Sequence, residues 1–216
     1  MIPKTIHQIW LGNKPIPEKF KLYIDGWKQI YNDYEHILWN DDDVVKNDVI
    51  PDTLKDLYFN NKLSCVFRAD ILRYVILQKY GGIYLDTDFE CLKKIPIHFL
   101  NFDFLGGIQN NGEVAIGFIA SKSNESIIND TINDILPSVE RAKQRGMYCN
   151  DQLNEIIGPV FFSKIARKYI KNENYFFFNH QYFYPYWFNE KQRQNENFKE
   201  TSPLAYGVHH WAKSWS

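Results

Sequence analysis

Apolar and polar positions alternate along the chain in short blocks whose period switches between that of a strand and that of a helix. TIHQIW at 5–10 and YEHILW at 34–39 are short strand-like runs, each followed by turn residues, Gly12-Asn13 and Asn40-Asp41. Between them, 18–30 has helical spacing behind Pro15-Ile16-Pro17. The longest block is RADILRYVILQKYGGIYLDTD at 68–88. Ile71, Leu72, Tyr74, Val75, Ile76 and Leu77 predict a buried helix, and Gly81-Gly82 is its stop signal. Ile83-Tyr84-Leu85 then reads as a short buried strand. Asp86-Thr87-Asp88 falls at its carboxyl end, where open α/β sheets bind ligands.

The second half continues the alternation. A strand at 89–92 is expected to run away from the aspartates, and 102–108 and 114–120 are two further apolar runs. Gly106, Gly107 and Gly117 mark places where backbone turns tightly or approaches a ligand. Asn124 is expected to cap a long helix with Ile127, Ile128, Ile132, Ile135 and Leu136 on one face, kinked or interrupted at Pro137. Asn150-Asp151-Gln152 opens another helix, with Asp151 read as a cap. The aromatic run YFFFNHQYFYPYWF at 175–188 reads as two strands packed on the core or, functionally, as an acceptor platform or lipid-touching patch, and 191–200 as a mobile polar surface loop. Alternating strands and helices over 216 residues predict one Rossmann-like α/β domain.

Composition narrows the partners. The 25 basic and 26 acidic side chains nearly cancel, which gives no electrostatic case for nucleic acid. Aromatic residues make up 17% of the chain, suited to stacking on sugar rings and equally to a dense core. Three scattered cysteines, Cys65, Cys91 and Cys149, argue for a reducing compartment rather than a disulfide framework. MIPKTIHQIW carries no leader pattern, and no spanning segment follows it. The expectation is a cytoplasmic protein with at most peripheral membrane contact.

Candidate chemistry concentrates in two places. Helical spacing puts Asp70 and Arg73 on one face with Val66 and Leu77, as either a structural ion pair or part of a site. Asp86 and Asp88 are hard oxygen ligands suited to Mn²⁺ or Mg²⁺, and two-residue spacing in a regular strand turns both to one side. Asp41, Asp42 and Asp43 also cluster, but acids in a first helical turn are better read as capping. The tail AYGVHHWAKSW is the second place. In extended chain His209 and His210 point to opposite sides, so one of the two can face a metal, and His209 is the first choice. His7 reads as a core histidine.

Arg68, Asp70, Arg73, Tyr74, Gly81-Gly82, Tyr84, Asp86 and Asp88, at this spacing, resemble the sugar-binding-region signature of the Asp-x-Asp glycosyltransferases of family 32 type. That group takes in initiating mannosyltransferases, α1,4-galactosyltransferases, capsule transferases and, more distantly, glucosylating clostridial toxins. The resemblance implies a GT-A fold with a mixed central sheet and helices on both faces. It implies a nucleotide-sugar half at about 1–92 and an acceptor half at about 93–216. It places Ile9, Trp10 and Leu11 in the base pocket. Arg68, Asp70, Arg73, Tyr84, Asp86, Thr87 and Asp88 fall around the donor sugar and diphosphate. Ser214 and Trp215 lie against the diphosphate, and His209 or His210 joins Asp86 and Asp88 on the metal. Asn110-Asn111 and Gly158-Pro159 match a loop and a turn on the acceptor side.

The expected activity is retaining, metal-dependent sugar transfer from a UDP-sugar to a glycan or lipid-linked glycan, in capsule or surface-polysaccharide assembly. A GDP-mannose donor is the nearest alternative. A metal-dependent phosphohydrolase and a carbohydrate-binding module are alternatives of other classes.

Overall fold

β1 (Thr5–Ile9) and β2 (Glu35–Trp39) pair in parallel, with α1 (Glu18–Ile30) as the crossover between them. This is the first unit of an α/β sheet in a computed structural model that describes residues 1–147 and 152–212. α2 (Asp41–Lys46) starts at a capping box. The Asn40 side chain accepts from the Asp43 N–H, and Asp43 accepts in return from the Asn40 N–H, so the acid run is a helix start. α3 (Asp52–Tyr58) leads to α4 (Cys65–Tyr80), the long helix, whose N-terminus is capped by Ser64. Ten of its sixteen residues are buried, on all sides of the helix, so it runs through the core rather than over it.

Gly81 ends α4 with φ +65°. A Cβ there would sit 2.7 Å from the Ser123 backbone nitrogen, so both space and backbone conformation demand glycine. The chain then turns into β3 (Gly82–Leu85), parallel to β1. β4 (Phe89–Cys91) leaves the large sheet. β5 (Phe104–Ile108), β6 (Val114–Ser121) and β7 (Tyr175–Phe178) complete a six-stranded mixed sheet in the order β2-β1-β3-β6-β5-β7, with β6 antiparallel to both neighbours. Two apolar clusters cover its faces. One is built around α4, α5 (Ser126–Gln144), α6 (Leu153–Ile156) and α7 (Pro159–Ala166). The other includes Trp27 of α1, Phe89, Phe118 and Phe183. α8 (Phe198–Thr201) and β8 (Gly207–His209) follow, and β8 pairs antiparallel with β4 as a second, two-stranded sheet.

Several expectations are corrected. The cap of α5 is Glu125, with Asn124 just outside at φ +56°, and the helix continues through Pro137. The aromatic run forms one strand, β7, and then a 3-10 turn at His180–Tyr182, because its later rings pack inward from irregular backbone. The segment at 191–200 is a 3-10 turn and α8, tied by the Arg193–Glu196 ion pair and the buried Phe198. Asn150, Asp151 and Cys149 lie outside the described residues.

His7 on β1 is fully buried. Its Nε2–H donates to the Gly81 carbonyl (3.0 Å), and its Nδ1 accepts from the Trp39 indole N–H (3.2 Å). The neutral ring therefore joins three elements at the entry to β3. Burial lowers its pKa from 6.5 to about 4, against the smaller upward pull of the Gly81 hydrogen bond. The unfolded chain takes up this proton first, so stability is present above pH 6.5 and falls as pH drops towards 4. Chemical denaturation across that window should lose about 3 kcal/mol through this histidine. His7→Gln should show a correspondingly smaller acid slope; an unchanged slope would contradict the assignment.

Candidate active site

β3 ends at Leu85, and the chain closes a turn at once. The Phe89 N–H donates to the Asp86 carbonyl (3.1 Å), and the Asp86 N–H to the Gly117 carbonyl on β6 (2.9 Å). Asp86 and Asp88 thus sit in a turn, not in regular strand, and the turn presents both carboxylates to one side. The third member arrives from the far end of the chain. β4 pairs Phe89 with His209 of β8, the His210 N–H donates to the Asp88 carbonyl (3.1 Å), and the Ala212 N–H donates to Asp88 Oδ2 (2.7 Å).

The result is a cluster in which ligand atoms of Asp86, Asp88 and His209 all lie within 4.8 Å of one another. Each aspartate has one oxygen held by protein and one turned to the shared point. Asp86 Oδ1 accepts from the Arg73 guanidinium (3.0 Å) and the Tyr84 hydroxyl (2.7 Å), which leaves Oδ2 3.4 Å from His209 Nε2. Asp88 Oδ2 is taken by Ala212, and Oδ1 lies 3.2 Å from the same Nε2. Gly117 keeps the point open. A Cβ there would stand 2.8 Å from Asp86 Oδ2 and 3.5 Å from His209 Nε2. Two carboxylate oxygens and one imidazole suit Mn²⁺ or Mg²⁺, with the remaining positions left for phosphate oxygens and water.

Electrostatics behind the cluster follow from burial. Arg73 and Asp70 are each 5% exposed and form an ion pair, and Arg73 also donates to the Ile116 carbonyl (2.8 Å). Burial would raise the Asp86 pKa. Arg73 first, then His209 and the Tyr84 hydroxyl, outweigh that and hold the carboxyl well below the usual carboxylate range. Asp70 moves the other way: burial pushes it up to about 7 against the pull of Arg73. Burial would keep His209 neutral, but Asp88 and Asp86 outweigh it and lift the ring to about 10.

The cluster lines a cavity of about 560 Å³. Of the residues singled out in the sequence, Ile9, Tyr84, Asp86, Thr87, Asp88 and His209 line it, as do Val66, Asn111 and Pro159. Asp70 and Arg73, expected around the donor sugar, form the ion pair that was the other reading and stand behind Asp86 without lining the cavity. Arg68 pairs with Asp41 (2.6 Å), whose other oxygen accepts from the Gly12 N–H (2.6 Å), so it braces the loop after β1. Trp10 points away from Ile9, donates to the Lys14 carbonyl and packs on Phe20, while Leu11 is in the core. His210 turns from the cluster, as the alternation requires. It is buried against Tyr23, with its ring nitrogens on Glu90 (3.0 Å) and the Tyr186 hydroxyl (3.1 Å), which removes it from the expected ligand set. Ser214 and Trp215 lie outside the described residues. Glycine at 117 carried a sequence signal for close approach. Trp187 lies in the aromatic run whose functional reading was an acceptor platform; Gln109 and Glu113, which also line the cavity, carried no signal.

Comparison with known proteins agrees with this geometry. Residues 17–106 match the family model described as a glycosyltransferase sugar-binding region containing a DXD motif. The chain is 42% identical over 95 residues to inositol phosphoceramide mannosyltransferase 3 of Schizosaccharomyces pombe, covering 42% of this chain and 25% of that one. It is 37% identical over 110 residues to an uncharacterized glycosyltransferase of Acanthamoeba polyphaga mimivirus, covering 49% of this chain and 41% of that one. The match thus spans under half the length of these curated relatives. Among solved structures, the PaToxG glycosyltransferase superposes with a TM-score of 0.57 at 26% identity, over 78% of this chain and 69% of that one. The UDP-bound glycosyltransferase domain of the YGT toxin superposes with a TM-score of 0.59 at 12% identity, over 82% and 79%, a likeness of fold.

Two tests follow from the geometry. A proton must leave His209 when a divalent cation binds, so apparent Mn²⁺ affinity, read by paramagnetic-resonance titration, should weaken about tenfold per pH unit on acidification below pH 8. Gly117→Ala should weaken Mn²⁺ binding by at least about tenfold with the circular-dichroism spectrum retained. Unchanged affinity in that variant would contradict the metal assignment.

Residues 17–106 are thus similar to the glycosyltransferase sugar-binding region containing a DXD motif, and the six-stranded mixed sheet around the Asp-x-Asp turn has the fold of the superposed glycosyltransferase domains.

Proposed function

We propose that this domain is a metal-dependent glycosyltransferase acting on a nucleotide-sugar donor. The observation that carries the reading is the convergence of Asp86 Oδ2, Asp88 Oδ1 and His209 Nε2 at the floor of the 560 Å³ cavity. Asp86, Asp88 and His209 hold the cation. A bound Mn²⁺ or Mg²⁺ supplies charge neutralisation for a departing diphosphate. Arg73 and Tyr84 fix the rotamer of Asp86, and Asp70 fixes Arg73, so these three preorganise the metal end without touching the cavity point directly. Ile9 offers an apolar wall for the base, with residues up to about 92 forming the donor half and the later ones the acceptor half.

In the transfer step, an acceptor hydroxyl oxygen bonds to the anomeric carbon. The bond from that carbon to the diphosphate oxygen breaks, and its electron pair leaves on the diphosphate. The hydroxyl proton passes to a diphosphate oxygen on the same face. This accounts for retention with no carboxylate nucleophile beneath the sugar. The proposed donor is a UDP-sugar, on the strength of the Asp-x-Asp block, and the acceptor a glycan or lipid-linked glycan of capsule or surface polysaccharide. A GDP-mannose donor is the second reading, favoured by the similarity to named mannosyltransferases. Among the described residues no helix is long and apolar enough to cross a membrane.

Melting scans with UDP or GDP, each with and without Mn²⁺, test this. Nucleotide at about a hundred times its Kd adds about 2.7 kcal/mol, a rise of roughly 5–10 °C for a chain of this size. The rise should require Mn²⁺ and vanish in Asp88→Asn. The base that gives it selects between the two donors, and a rise with neither overturns the reading.

A further inference from the structure

The same cavity is also lined by aromatic side chains that the proposed donor site does not use, and they begin beside His209. They form a continuous series. The Trp211 ring lies 4.5 Å edge-on from the His209 ring, Trp187 lies 5.1 Å from Trp211, and Phe188 lies 5.0 Å from Trp187. The series starts at a metal-cluster residue and ends at Phe188, which is 48% exposed. Trp211 is held in place at a conformational penalty. Its φ is +53°, a region that side-chain-bearing residues rarely occupy, and its indole N–H donates to the Tyr186 carbonyl (3.0 Å). The strained backbone lets the flanking residues cap Asp88 while the ring turns into the cavity. Strain kept next to a cluster of this kind points to a functional constraint.

Polar side chains line the same cavity. Gln109, buried, and Asn154 carry amides, and Glu113 carries a carboxylate. A pyranose ring presents a face of polarised C–H bonds to a π-surface and an edge of hydroxyls to amides and carboxylates. A cavity lined by both flat aromatic rings and amides fits that ligand. A lipid tail would leave Gln109 and Glu113 desolvated without partners. Acidic sugars and anionic headgroups are opposed by Glu113 together with Asp86 and Asp88.

We propose that Trp187, Phe188 and Trp211, together with Gln109, Glu113 and Asn154 of the same cavity, form the acceptor subsite and take a neutral pyranose. The proposal rests on the glycosyltransferase reading and names the acceptor chemistry of that site. The ring would stack on Trp187, with one hydroxyl directed down the series towards the metal end.

The test is saturation-transfer NMR on the intact chain with UDP and Mg²⁺, using methyl α-D-mannopyranoside, methyl β-D-galactopyranoside and methyl α-D-glucopyranoside as probes. At least one glycoside should receive saturation at its ring C–H protons. Its affinity should fall about tenfold in Trp187→Ala and less than about threefold in Trp187→Phe, which keeps a flat ring. Phe188→Ala, at an exposed position, should fall about threefold and keeps the test open if Trp187→Ala does not fold. No contact from any of the three glycosides, or equal affinity in the variants, overturns the subsite. So does binding to phosphatidylcholine–phosphatidylglycerol vesicles that is lost in Phe188→Ala while no glycoside binds. The nucleotide-dependent rise in Tm separates the two failures. With the rise present, a negative result removes the subsite and leaves the transferase reading; with the rise absent, both fall.

Discussion

The site depends on one long-range pairing. β4 and β8 put Phe89 opposite His209, and the Ala212 N–H then closes on Asp88 across a separation of 124 residues. Neither half of the chain forms the Asp86–Asp88–His209 cluster without the other. The turn after β3 supplies two carboxylates, and the tail supplies the imidazole and the backbone N–H that fixes one of them. Register decides the outcome, because a slip of one residue would bring His210 to the aspartates and send His209 towards Glu90. His210 works against that slip from the other side, clamped between Tyr23, Tyr186 and Glu90.

Behind the pairing stands a buried charge arrangement. Arg73 inside α4 is a cation in low dielectric, and such a group is tolerated when its partners are placed well. Asp70 one turn earlier, the Ile116 carbonyl and Asp86 supply them. The helix therefore does two things with one side chain. It gives both terminal nitrogens of its buried guanidinium partners, and it locks Asp86 so that the free oxygen faces the cavity. Gly117 is the complementary device on β6, where the absence of a Cβ leaves the room that the arrangement needs.

Much of this was legible in the sequence because local physics fixed it. The buried helix, its Gly81 stop, the short strand and the Asp-x-Asp at its end follow from periodicity and turn chemistry, and alternation in the tail correctly separated His209 from His210. What was not legible depended on contacts distant in sequence. The partner of β4 is set by β8, which no local pattern indicates. Arg68 was expected at the ligand, yet it meets Asp41, itself part of a capped helix start. Trp10 neighbours Ile9 in sequence but packs in a different cluster, and Leu11 shares the core cluster of Ile9 without lining the cavity. The aromatic run was misread as two strands because burial of rings satisfies strand composition without strand backbone, as the 3-10 turn at His180–Tyr182 shows.

The claim that most of the account hangs on is that the chain end completes the metal site of the Asp-x-Asp turn. Electron spin-echo modulation of Mn²⁺ bound with UDP tests it directly. The account predicts nitrogen modulation from one coordinated imidazole, lost in His209→Gln and retained in His210→Gln. Bound Mn²⁺ without imidazole modulation, or modulation that survives His209→Gln and disappears in His210→Gln, would contradict it.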